Sequence, residues 1–180
     1  MSVDDGLKCK ELNPTDGEEL GLHAPYLTHC AFCWTQVEHT RHPFWYIPTD
    51  LSCCICEKCY HALAEIRRSC KYSHWMWYIF PQLRGLGFSS TAQYYGLNGL
   101  EEARSFAADP VLGGNLRTIT GALLEQPIRN AHAIFGSTDA MKLRSCMTLF
   151  ELADPDCGLY AQVLEEFFGG SRDRKTLTML

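Results

Sequence analysis

The distribution of cysteine constrains this chain more than any other feature. Eight of the ten cysteines in its 180 residues fall within residues 1–70, and six lie between Cys30 and Cys59; only Cys146 and Cys157 follow. A disulfide framework is usually spread over the domain it staples, whereas a metal site gathers its thiolates locally. Cys30-Ala31-Phe32-Cys33 supplies one ligand pair. Cys53, Cys56 and Cys59 form two overlapping C-x2-C pairs, with nineteen or twenty-two residues between Cys33 and the pair according to which is used. Either choice closes a tetrahedron of four thiolates around zinc and leaves no open position, so the metal is expected to be structural.

Cys30, Cys33, Cys56 and Cys59 are the preferred set. Cys56 and Cys59 lead into a helix predicted over 60–68, whose unpaired amides and dipole favour thiolates. Cys53, Cys54, His29, His39, His42 and His61 are alternative ligands, or bystanders on a polar loop. The order is a thiolate knuckle, a hairpin-like stretch around Phe44-Trp45-Tyr46, then a pair opening a helix. It resembles a treble-clef zinc finger.

Charge separates the chain in the same place. Residues 1–29 carry six acids and two bases, residues 30–70 four of each, and residues 71–180 eleven acids and ten bases. The acidic start, short of aromatics, reads as a flexible tail over 1–25, followed by the zinc module over 26–68 and a body over 60–180. A net charge of −5 argues against nucleic acid as a partner. No apolar run approaches membrane-spanning length, and the first residues lack the pattern of a secretory signal. A cytoplasmic protein is expected, or a nuclear one in a eukaryotic cell.

Beyond residue 57 the signals are helical. Asn98 is a candidate cap for a helix to about Ala108. Asp109-Pro110 precedes Leu112, Leu116, Ile119 and Leu123 on one helical face, with Pro127 as the stop. Ser137 or Thr138 caps a helix burying Leu143, Met147 and Phe150. Asp154-Pro155 repeats the cap signal before Leu159, Val163 and Phe167, and Gly169-Gly170 ends that helix. Arg172, Arg174 and Lys175 read as helix-end solvation. The fold class is all-α: a compact multi-helix body with a small N-terminal four-cysteine module.

The stretch from Lys71 to Gly87 is the least ordinary. Its bland reading is a buried aromatic segment with His74 hydrogen-bonded in the core. Its functional reading is a pocket in which Trp75 or Trp77 stacks on a planar ring while Lys71, Ser73, His74, Gln82 and Arg84 make polar contacts. Asp139, Lys142 and Ser145 fall near one helical face, where Lys142 and Ser145 could hold an anion. Their bland reading is a solvated ion pair. His74 is the candidate to orient a ligand or transfer a proton.

This segment, with Tyr60-His61-Ala62-Leu63-Ala64-Glu65-Ile66-Arg67, Asp109-Pro110-Val111-Leu112-Gly113, Ile134-Phe135-Gly136, Asp139, Lys142-Leu143-Arg144-Ser145-Cys146-Met147-Thr148-Leu149-Phe150 and Phe168-Gly169-Gly170, resembles a mainly bacterial domain family of unknown function, number 1810, sometimes labelled calpastatin-like. The resemblance runs over about 60–180. It implies a compact all-α domain of about seven helices and no established reaction. Family members usually begin with a helix where this chain has the cysteine cluster. They also tend to carry glycine before the lysine, where this chain has Ser69-Cys70. Two functions follow as expectations. One is a zinc-containing domain that binds, or processes, a small aromatic or anionic ligand such as a nucleotide derivative. The other is an interaction module whose zinc finger contacts a protein partner while the body is scaffold.

Overall fold

The computed structural model describes residues 12–16, 36, 44–48 and 55–180. Cys30, Cys33, Cys53, Cys54, His29, His39 and His42 lie outside them. Three short strands come first: β1 (Leu12–Asp16), β2 (Phe44–Pro48) and β3 (Ile55–Cys56). They form an antiparallel sheet in chain order, with Leu12 opposite Pro48 and Trp45 opposite Cys56. Pro14 sits on the edge strand β1, where a missing N–H is tolerated. Five residues of the segment read as tail are therefore a strand. Low aromatic content does not report a pairing partner some thirty residues away, and here the partner is the aromatic strand β2.

From β3 the chain passes directly into α1 (Glu57–Arg67), which begins three residues before the expected 60. Cys56 is its N-cap, extended at φ −67° and ψ 156°. Seven more helices follow among the described residues: α2 (Met76–Ile79), α3 (Ser90–Tyr95), α4 (Leu100–Ala108), α5 (Leu112–Leu124), α6 (Ala131–Ala153), α7 (Leu159–Phe168) and α8 (Arg174–Met179). The described residues are mostly helical, as the periodicity indicates. Asp109 Oδ1 accepts from the amides of Val111 and Leu112 at 2.9 and 2.8 Å, the cap expected for α5. Gly169, at φ 57°, closes α7. Inside α6, Gly136 at φ 71° and ψ 171° breaks the helix immediately before Ser137. The helix read from that position is the second part of α6, and a short turn, capped by Asn130, precedes it.

Three expectations differ. Gly99, not Asn98, is the N-cap of α4; the Asn98 amides instead donate to Glu102, which reaches back from the first turn. Asp154 ends α6 and receives Arg117 at 3.1 Å, so α7 starts at Leu159 rather than just after Pro155. Arg174 and Lys175, read only as solvating a helix end, form the first turn of a further helix, α8, which Asp173 caps through the Thr176 amide at 2.9 Å.

The core centres on α6, which packs against α2, α4, α7 and α8. Leu143, Cys146, Met147, Leu149 and Phe150 are fully buried, so this half of α6 sinks a broad apolar face into the core while Lys142, Arg144 and Ser145 remain on its other side. α5 packs against α1, α4 and α7. No helix among the described residues is long and apolar enough to cross a membrane.

Candidate functional site: a basic, ring-lined cleft

A cleft of about 740 Å³ opens between the turn after α2, the solvent side of α6 and the start of α8. Of the ten ligand-site residues read from the sequence, Trp77, Gln82, Lys142 and Ser145 line it. Lys71, Ser73, His74, Trp75, Arg84 and Asp139 do not.

The first group is built by packing around Trp77. A Cβ placed on Gly87 would lie 2.9 Å from the Trp77 ring, so glycine is what lets the chain close over that indole. Lys142 Nζ sits 4.5 Å from the Trp77 ring centroid, a cation over an aromatic face. Gln82 is only 3% exposed, yet its side-chain nitrogen has no hydrogen-bond partner. Arg144, which also lines the cleft, has a buried Nε without a partner. The Ser145 hydroxyl donates to the Met141 carbonyl at 3.1 Å, leaving its lone pairs to accept. Leu86, Phe88 and Met141 supply an apolar side to the cleft, and Phe88 is 94% exposed.

The second group is mostly committed to holding that wall in place. Lys71, 5% exposed at its side chain, reaches Asp139 at 2.6 Å and the Ser73 carbonyl at 2.6 Å. Asp139 also receives Lys142 at 2.7 Å. Burial alone would raise the Asp139 pKa, but the hydrogen bonds from Lys142 and Lys71 hold its carboxyl below the ordinary value. Trp75 is 1% exposed and packs against Phe80 and Phe135, so it offers no face to a ligand; stacking falls to Trp77. His74 is exposed rather than hydrogen-bonded in the core, and it stands outside the cleft. Arg84 is likewise exposed beyond the cleft wall.

Sequence reasoning missed the residue that organises the segment. Glu65, on α1, is 1% exposed. It accepts from the Tyr72 and Ser73 amides at 3.0 and 3.2 Å, from the Trp75 indole at 2.7 Å, and from the Ser73 hydroxyl. Burial works to raise its pKa, and these bonds, led by Ser73, bring it below the ordinary value. The signal was available: Glu65 shares a helix face with Ala62 and Ile66, and a carboxylate on an apolar face needs donors. Arg144, Arg174 and Lys175 were the other omissions, because what brings them together is the docking of α8 on α6. The Thr148 hydroxyl fixes that docking by accepting the Asp173 amide at 2.9 Å.

At the other end of α1, Cys56 and Cys59 are both buried, one at the N-cap and one in the first turn. His61 lies on the exposed side of the same helix.

Fold and site together define a small helical domain with one face opened into a basic cleft walled by a tryptophan. Residues 56–180 match the family described as "Protein of unknown function (DUF1810)", and the chain belongs to that family. Among solved structures it is similar to the conserved hypothetical protein Rv1873 from Mycobacterium tuberculosis. The two share 40% identity with a TM-score of 0.65, over 67% of this chain and 86% of that one. No curated protein matches. The family match begins at Cys56, so Cys30 and Cys33 precede it.

Proposed function

We propose that the chain binds a small anionic ligand carrying a planar or apolar group, with the cleft as its site. The observation that carries this reading is the unmet donor of Gln82. A buried amide without a partner costs on the order of 1–3 kcal/mol, and a native protein retains such a group where something else satisfies it. Lys142 and Arg144 line the same cleft, Arg144 with a buried Nε that also lacks a partner, and Trp77 with Leu86 and Phe88 gives the apolar part of a ligand a surface.

A thermal-shift and calorimetric screen of metal-replete protein against nucleotides and related metabolites tests it. Gln82→Ala and Lys142→Ala should weaken binding. Lys142→Ala should leave the melting temperature nearly unchanged, because Asp139 keeps Lys71 as its partner. His74→Ala and Arg84→Ala, outside the cleft, should not weaken binding. Equal weakening by all four would sink the cleft as the site. Failure of every metabolite to bind would turn the reading to an interaction module.

We also propose that Cys30, Cys33, Cys56 and Cys59 hold a structural zinc ion. The support is local: β2 and β3 are antiparallel, β3 runs into α1 without a loop, and two buried thiols sit at the helix N-terminus. This order is what a treble clef would need around its second ligand pair. Elemental analysis of protein purified without added metal should find about one zinc per chain. Well-folded, metal-free protein would overturn it.

A further inference from the structure

Building on the reading of the cleft as an anion site, we infer that its ligand presents a phosphoryl group with at least two negative charges. We also infer that Arg174 and Lys175 of the terminal helix complete the seat. The argument starts from charge pairing. Five cations line the cleft, Lys142, Arg144, Arg172, Arg174 and Lys175, against one acid, Asp173. Arg172 is matched by Glu151, which it meets through two hydrogen bonds, one of them 2.8 Å long. Arg144 faces Asp173 at 3.8 Å. Lys142 shares Asp139 with Lys71, so two ammonium groups are balanced by one carboxylate. Arg174 and Lys175 are exposed, and no ion pair involves either among the described residues. Pair by pair, the surplus is one charge from the shared carboxylate, one from Arg174 and one from Lys175. A monocarboxylate would leave two of these unmatched; a phosphomonoester or diphosphate matches two or three.

The hydrogen-bonding chemistry agrees. Gln82 and Arg144, which line the cleft, each carry an unmet donor buried just within its wall, the Gln82 side-chain nitrogen and Arg144 Nε. Lys142 adds an ammonium with one of its three protons turned to Asp139. Several donors from separate directions suit an oxyanion with three acceptor oxygens better than a planar carboxylate. Arg174 and Lys175 also line a second, smaller cleft of about 320 Å³ with Leu86, Phe88 and Met179. They therefore stand between the two clefts, within reach of a charged group in either.

Two ring-bearing probes of similar size separate the alternatives. Phenyl phosphate, dianionic near neutral pH, and benzoate, monoanionic, are titrated calorimetrically into the full chain at fixed ionic strength, with inorganic pyrophosphate as the probe without a ring. Phenyl phosphate and pyrophosphate are expected to bind at least tenfold more tightly than benzoate. Arg174→Ala/Lys175→Ala should weaken both phosphorylated probes at least tenfold while leaving the melting temperature of the unliganded protein unchanged. Gln82→Ala should weaken them as well. Benzoate binding as tightly as phenyl phosphate would overturn the phosphoryl assignment and leave the anionic cleft standing. Tight binding that survives the double substitution would remove the terminal helix from the site. If none of the three probes binds, the underlying reading of the cleft fails with it.

Discussion

One substitution at Glu65 tests how the aromatic segment is held in place. Its carboxylate takes four hydrogen bonds from the turn between α1 and α2. Replacing it by alanine leaves the Trp75 indole N–H buried, since that ring is 1% exposed and cannot reach water. An orphaned buried donor costs about 1–3 kcal/mol, and the lost charge-assisted bonds to the two amides and the hydroxyl add to it. We expect about 3–4 kcal/mol for Glu65→Ala, a large part of a typical 5–15 kcal/mol total. Glu65→Gln keeps the volume, but its NH2 group faces donors, so about 2–3 kcal/mol is expected. Adding Trp75→Phe removes the orphan. Its cost in the alanine background should then fall short of its cost alone by about 1–2 kcal/mol. Acid dependence gives a second check. A carboxyl whose pKa is lowered by folding contributes stability above the ordinary carboxylate range, and loses it as pH falls through the folded value. The gap between wild type and Glu65→Gln should therefore narrow on acidification. Urea denaturation followed by circular dichroism at several pH values measures all of these. A cost for Glu65→Ala below about 0.5 kcal/mol, or additivity with Trp75→Phe, would refute the clamp.

Asp139→Asn should cost about 3–5 kcal/mol, because it leaves the buried Lys71 ammonium without its carboxylate. Lys71→Met should restore much of that loss in a denaturation series. Ser69 lies at φ 52°, a left-handed conformation that disfavours a Cβ by about 1 kcal/mol, and its hydroxyl donates to Gln126 at 3.3 Å. Ser69→Gly should accordingly be about 1 kcal/mol more stable than Ser69→Ala, which lacks the same hydroxyl; equal melting temperatures would contradict it. Cys59→Ser should lower the zinc content of the purified chain and speed amide exchange in α1, and a variant with full metal content would remove Cys59 from the ligand set.

How far the sequence revealed this protein depends on which interactions are local. Helix faces and several caps were legible because they are set within a turn or two: Asp109 before α5, Gly169 after α7, and the break that starts a helix at Ser137. Asp154-Pro155 misled because a cap signal competes with tertiary pairing, and Arg117 takes that carboxylate. The tail strand was invisible since its partner lies some thirty residues on. In the cleft, Trp77, Gln82, Lys142 and Ser145 were legible as unusual residue types in an aromatic segment and on one helix face. Trp75, Lys71 and Ser73 carry the same signal, but Glu65 and Asp139 turn them inward. No local pattern distinguishes a tryptophan that lines a cleft from one two residues away that is locked beneath it.

The helix α1 ties these observations into one mechanical unit. Cys56 and Cys59 stand at its start, Ala62, Leu63 and Ile66 bury its face in the body, and Glu65 holds the turn that leads to Trp77. The Ser69 turn ends it, and Lys71 then crosses to Asp139, on the helix that carries Lys142. The metal module and the helical body, read as 26–68 and 60–180, share this helix: the element that would receive the metal also supplies the core and positions the cleft wall. Displacing the first turn of α1 moves Cys59 out of the core and loosens the element that carries Glu65. Through Glu65 and the Lys71–Asp139 pair it also loosens the seat of Trp77. Order at the cysteines and affinity at the cleft are thus expected to change together, although the two sites share no residue.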